Sequence, residues 1–182
     1  MNVIGVVGLP ASGKGEFSKI AEGLGIPVVV MGDVIRNAVK KAGLPPTDEN
    51  LGAMANRLRA ERGMDAIAIL CVDAVKEQKA RLVLIDGIRG DAEVRVFREH
   101  FPGFRLIAIE TSFEKRLSRL CERKRSDDVG SAEGLLTRDK RELGWGLGNA
   151  LQLADIRLNN DGSLEEFTAR VTDLIHSMER EP

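Results

Sequence analysis

The stretch MNVIGVVGLPASGKGE (1–16) changes character within a few residues, as an apolar, β-branched run gives way to glycines, a proline and a lysine. Residues 2–7, NVIGVV, read as a strand, and Phe17, Ile20, Ala21 and Leu24 then recur at helical spacing. Between them, Gly8 to Lys14 satisfy GxxxxGK in the strand–loop–helix setting that a phosphate-binding loop requires. Glycines let backbone N–H groups turn inward around a phosphate, and the following helix points its positive end at the same place. Lys14 adds a flexible cation for the β- and γ-phosphates. The expected ligand is a nucleoside triphosphate, touched by Gly8, Pro10, Ala11, Ser12, Gly13, Lys14, Gly15 and Glu16. Gly15 departs from the common pattern, which has a Ser or Thr magnesium ligand at that position.

Further along, PVVVM (27–31), RLVLID (81–86), FRLIAIE (104–110) and DIRLN (155–159) read as four more strands. Strands that are nearly all apolar are buried on both faces, which implies a parallel sheet with helices on either side. Thr47 is a natural helix N-cap, Thr111 with Glu114 and Ser163 with Glu166 have capping-box spacing, and residues 64–76 read as a helix buried on nearly every side. The expected fold is one α/β domain over 1–182, a three-layer α/β/α arrangement around a five-stranded parallel sheet. Residues 32–63 would form a helical insert. Residues 122–148, rich in charge and glycine without a strand-like run, would form a lid-like flap.

At 182 residues with 43% hydrophobic and 30% charged side chains, the chain suits one soluble globular core. A net charge of −1 gives no basic excess for nucleic acid. No apolar stretch reaches about 18 residues, so neither a leader peptide nor a membrane span is expected, and the expected location is cytoplasmic. Cys71 and Cys121 are isolated and read as two buried thiols in a reducing compartment, and His100 and His176 as surface or packing residues.

The motif set resembles the adenylate kinase family. GxPxSGKG (8–15) is similar to that family's phosphate loop, which also carries glycine after the lysine, although it usually continues with Thr where this chain has Glu16. Gly32-Asp33-Val34-Ile35-Arg36 resembles the GDxxR segment with which nucleoside monophosphate kinases hold the acceptor phosphate. Asp86-Gly87-Ile88-Arg89 resembles their DGxPR segment, one residue shorter and without the proline. Residues 123–128, RKRSDD, followed by Arg138 and Arg141, resemble their arginine-bearing lid. VVVMGDVIR (28–36) also resembles the acidic segment of dephospho-coenzyme A kinase, and residues 153–162, LADIRLNNDG, its late strand and loop near the adenine. With GLPASGKGE, MGDVIR, PTDEN and DGIR in this order, the whole chain is identified as a member of an archaeal family of adenylate-kinase-related P-loop proteins.

This resemblance implies ATP and Mg2+ as cofactors and transfer of the γ-phosphate to a small-molecule nucleotide acceptor. Lys14 would neutralise the donor. Asp86, at the end of a strand, would be the Walker B carboxylate that holds magnesium through water. Asp33, Arg36, Gly87 and Arg89 would bind the acceptor, Arg123, Arg125, Arg138 and Arg141 would supply transition-state charge, and Asn160, Asp161 and Gly162 would lie near the adenine. A monophosphate acceptor arrives with an anionic oxygen and needs no base, whereas a hydroxyl acceptor would need Asp33 as one. Arg57, Arg59 and Arg62 read as a solvated helix face. A reading of another class is an ATP-binding switch that hydrolyses slowly and acts on a protein or ribonucleoprotein partner.

Overall fold

A computed structural model describes residues 1–123 and 131–180, with only the backbone at Arg123. Its sheet has five parallel strands, β1 (Asn2–Val7), β2 (Val28–Val30), β3 (Leu82–Ile88), β4 (Arg105–Glu110) and β5 (Ile156–Asn159), in the order β2-β3-β1-β4-β5. The helices among the described residues are α1 (Lys14–Gly23), α2 (Met31–Lys41), α3 (Asp48–Arg62), α4 (Ala66–Lys76), α5 (Asp91–His100), α6 (Phe113–Arg123), α7 (Ala132–Gly144), α8 (Leu147–Gln152) and α9 (Leu164–Arg180).

Side chains alternate along the sheet between two apolar cores. Val3, Val7, Val83 and Ile85 face α2, α4, α5 and α8, and Ile4, Val6, Leu82 and Leu84 face α1 and α9. This makes the three-layer α/β/α domain expected from the sequence, with all five strands where the apolar runs lie. Parallel order with β1 central places the loop after β1 beside the ends of β3 and β4, where open α/β sheets take ligands.

One irregularity shapes that edge. β1 and β3 run in register up to Val6 opposite Asp86, then Val7 lies opposite Ile88, so Gly87 is skipped. Gly87 has φ +100°, a left-handed conformation that costs a side-chain-bearing residue strain. The bulge interrupts the ladder just after Asp86, and pairing resumes at Ile88, directly before Arg89.

Thr47 caps α3 by accepting from Asn50 N–H at 3.3 Å, and Ser163 and Glu166 form the reciprocal box before α9. Other local readings fail. Thr111 does not pair with Glu114; its hydroxyl donates to the Ser12 carbonyl at 2.8 Å, a stronger claim made by the phosphate loop. α4 is not buried all round, since Ile69 and Leu70 are exposed. Cys71 is buried, but Cys121 is exposed on α6. Within 122–148 the described residues include the end of α6, α7 and the start of α8, with Leu135 and Leu147 buried.

Candidate functional site

The loop between β1 and α1 is held open from behind. Ala11 sits at φ +61° and Gly13 at φ +113°, and these two turns direct the Ser12 carbonyl away from the cleft. That carbonyl accepts from Thr111 Oγ1 at 2.8 Å, Asn160 Nδ2 at 2.9 Å and Arg119 Nη1 at 3.3 Å. Asn160 packs so close that a Cβ at Gly13 would lie 2.2 Å from its Nδ2. Arg116, clamped to Asp139 by two bonds of 2.8 Å, donates to the Pro10 carbonyl at 3.2 Å. With its carbonyls tied back, the loop is shaped to present amides to an anion at the start of α1.

Lys14 folds over the loop, its Nζ donating to the Gly8 carbonyl at 2.5 Å and the Leu9 carbonyl at 3.0 Å. Burial pushes its ammonium down from 10.5 to about 8, against the pull of Glu142 and Asp86 and with the help of Arg89 and Arg138. Asp86, at the end of β3, accepts from Ser18 Oγ at 2.9 Å.

Two cavities meet here. A cleft of about 670 Å³ runs along the loop past Asp86 to Arg119, Asn160 and Phe167. A smaller one of about 100 Å³ lies between α2, α3 and α7, with Met31, Ile35, Leu51 and Trp145 as apolar walls. Gly32, Arg36, Gly87, Arg89 and Arg138 line both.

Most residues expected from the sequence converge on this junction. Pro10, Ala11, Gly13, Lys14, Gly15, Glu16, Asp86, Asn160 and Gly162 line the larger cleft. Gly8 lies behind it against Ser12 and the Ile109 carbonyl, and Ser12 is buried. Arg141 lines only the smaller cavity. Asp161 points elsewhere, as a turn residue whose carboxylate accepts from Ser112 N–H at 2.8 Å and is held below the usual range by that bond. Asp33 is exposed, pairs with Arg36 at 2.7 Å and lines neither cavity. The Arg123 side chain and Arg125 lie outside the described residues.

The acidic half of the site was not apparent in the sequence. Glu142 on α7, only 1% exposed, pairs with Arg89 and lies 3.3 Å from Arg138 Nε. Burial works to raise its carboxyl, but Arg89, Lys14 and Arg138 outweigh that and hold it below the ordinary range. Arg141 grips Asp48 on α3 with bonds of 2.8 and 2.9 Å. Arg59, expected on a solvated face, is instead buried, 2.8 Å from Glu93 and stacked 4.4 Å over Trp145. Glu93 also accepts from Arg89 N–H at 2.7 Å, fixing the backbone just past the bulge. Arg57 pairs with Glu61 on the exposed side as expected.

A five-stranded parallel sheet with a lysine-bearing glycine loop beneath an acid-tipped neighbouring strand defines a P-loop kinase-like domain. Residues 7–135 match the family described as an AAA domain. A UPF0200 protein of Methanoculleus marisnigri is 59% identical over 175 residues, covering 96% of each chain. The chain belongs to the UPF0200 family. Among solved structures it is similar to TT1252 from Thermus thermophilus, at 17% identity, TM-score 0.66 and 96% coverage of both chains. It is also similar to shikimate kinase from Acinetobacter baumannii, at 18% identity, TM-score 0.62 and coverage of 98% of this chain and 95% of that one. These two likenesses show a shared fold. No helix among the described residues is long and apolar enough to cross a membrane.

Proposed function

We propose that the protein is an ATP-dependent phosphotransferase that moves the γ-phosphate of ATP to a nucleoside monophosphate or a similar nucleotide-like acceptor. The observation that supports this reading is the shared wall of the two cavities, where Arg36, Arg89 and Arg138 stand between the phosphate loop and a second pocket. Phosphoryl transfer is mostly positioning and charge neutralisation, and guanidinium groups suit a phosphate dianion through paired, planar hydrogen bonds.

The loop amides and Lys14 hold the donor phosphates. A magnesium ion fits the residues present, because Asp86 offers a carboxylate at the cleft that accepts from a neutral hydroxyl, that of Ser18. Bound with the nucleotide, the ion would neutralise charge on the β- and γ-phosphates. Among the described residues no group of three or more His, Cys, Asp or Glu could hold a metal, so its other ligands would be phosphate oxygens and water. Arg36 and Arg89 receive the acceptor phosphate, whose oxygen is already anionic and needs no base. Asp33 lines neither cavity, which weighs against a hydroxyl acceptor deprotonated there.

The smaller cavity, about 100 Å³, is below the roughly 150 Å³ that encloses a benzene, so a nucleoside needs more room. The Asp48–Arg141 clasp between α3 and α7 is the contact that would open to admit one.

Phosphate transfer from Mg-ATP with purified protein, each nucleoside monophosphate in turn, then dephospho-coenzyme A, and Lys14→Ala as control, tests the proposal. Turnover with a monophosphate that disappears in the control supports it, and Arg36→Ala should then raise the acceptor KM far more than that of ATP. Acceptor-independent slow hydrolysis alone would replace it with the switch reading.

A further inference from the structure

Residue 15 supplies no hydroxyl, and its surroundings are open: a Cβ added there meets no atom within 4 Å. One turn further along the same helix, Ser18 lies against Asp86. Its Oγ is 2.9 Å from Asp86 Oδ2 and 3.1 Å from the Lys14 carbonyl, and the residue is 7% exposed. A hydroxyl has one proton to donate. The carboxylate is closer and charged, so it takes the stronger bond, and the Lys14 carbonyl is left as the weak back-bond common for serine inside a helix. The bond joins α1 to the end of β3 across 68 residues of sequence.

We infer that Ser18 positions the Asp86 carboxylate for the divalent cation of a bound metal–nucleotide, in a loop whose residue 15 offers that cation no hydroxyl. Ser18 is too enclosed to meet the cation itself and acts through Asp86. Pinning one carboxylate oxygen to a rigid helix fixes the side-chain rotamer and aims the other oxygen at the cleft, the support that outer hydrogen bonds give metal ligands in general. The inference rests on the proposal that the loop binds a metal–nucleotide, but not on the identity of the acceptor.

Ser18→Thr and Ser18→Val test it, being matched in volume and differing in the hydroxyl. Mn2+ affinity is read by electron paramagnetic resonance with a non-hydrolysable ATP analogue, and nucleotide affinity separately in excess chelator. Ser18→Thr should stay within about threefold of the unaltered protein, while Ser18→Val should bind Mn2+ about 10–100-fold more weakly, with chelated-nucleotide affinity equal in the two. Equal Mn2+ affinity in the Thr and Val variants, or equal loss of metal-dependent and metal-free binding, would overturn the inference and leave the phosphotransferase proposal standing. An unaltered protein that binds no nucleotide would overturn both.

Discussion

Replacing Lys14 with methionine should reveal the cost of burying its ammonium. The folded lysine gives up its proton near pH 8, while the unfolded one keeps it to 10.5. Between those values the unfolded chain binds more protons, so the parent protein gains stability as pH rises through the window, and below it the full penalty applies. At about 1.36 kcal/mol per pH unit, the step from pH 8 to 9.5 is worth about 2 kcal/mol. Lys14→Met removes this titration and nothing else that ionises. Urea unfolding of both proteins without nucleotide, at pH 7 and 9.5, should therefore show the parent gaining about 2 kcal/mol relative to the variant. A difference that stays constant within about 0.5 kcal/mol would refute the account of Lys14 as a desolvated cation. Phosphates would return the lysine toward its ordinary value, so ATP binding at about pH 9 should take up a proton, visible as a buffer-dependent heat in calorimetry, and the uptake should be absent in Lys14→Met.

Glu142→Gln should cost about 1–3 kcal/mol in denaturant unfolding, because it takes the carboxylate from the partly buried Arg89 guanidinium. The same folded-state depression of the Glu142 carboxyl predicts stability that is present at neutral pH and lost on acidification below the ordinary glutamate range, a loss the Gln variant should lack. Gly87→Ala should lower stability by about 1–3 kcal/mol, since φ is +100° there, and the thermal midpoint checks it. Exposed Cys121 should react with a thiol reagent in the native protein, whereas Cys71, whose thiol burial pushes up to about 12, should react only on unfolding.

The nucleotide half of the site was legible because its determinants are local. Gly8 to Lys14 are contiguous, and the strand before and the helix after carry their own periodicity. Asp86 and Arg89 were legible because they end an apolar run. The acidic half was not, because its meaning lies in partners far along the chain. Arg116 pairs with Asp139 across 23 residues, Arg59 with Glu93 across 34 and Arg141 with Asp48 across 93. Read locally, such charges look like solvated faces, so the buried contacts of α7 were not legible. Thr111 was misread for a related reason: capping-box spacing is a short-range signal, and a carbonyl 99 residues away in the chain outbid it.

The Ser12 carbonyl, tied to Thr111, Arg119 and Asn160, has a consequence for how the molecule breathes. These three donors come from the end of β4, from α6 and from the segment after β5, so the phosphate loop cannot keep its shape if the far edge of the sheet opens. A ligand that binds only the intact loop suppresses that opening by mass action. Nucleotide should therefore slow amide hydrogen exchange in β5 and the first turn of α9, almost 150 residues from the loop in sequence and one carbonyl away in space.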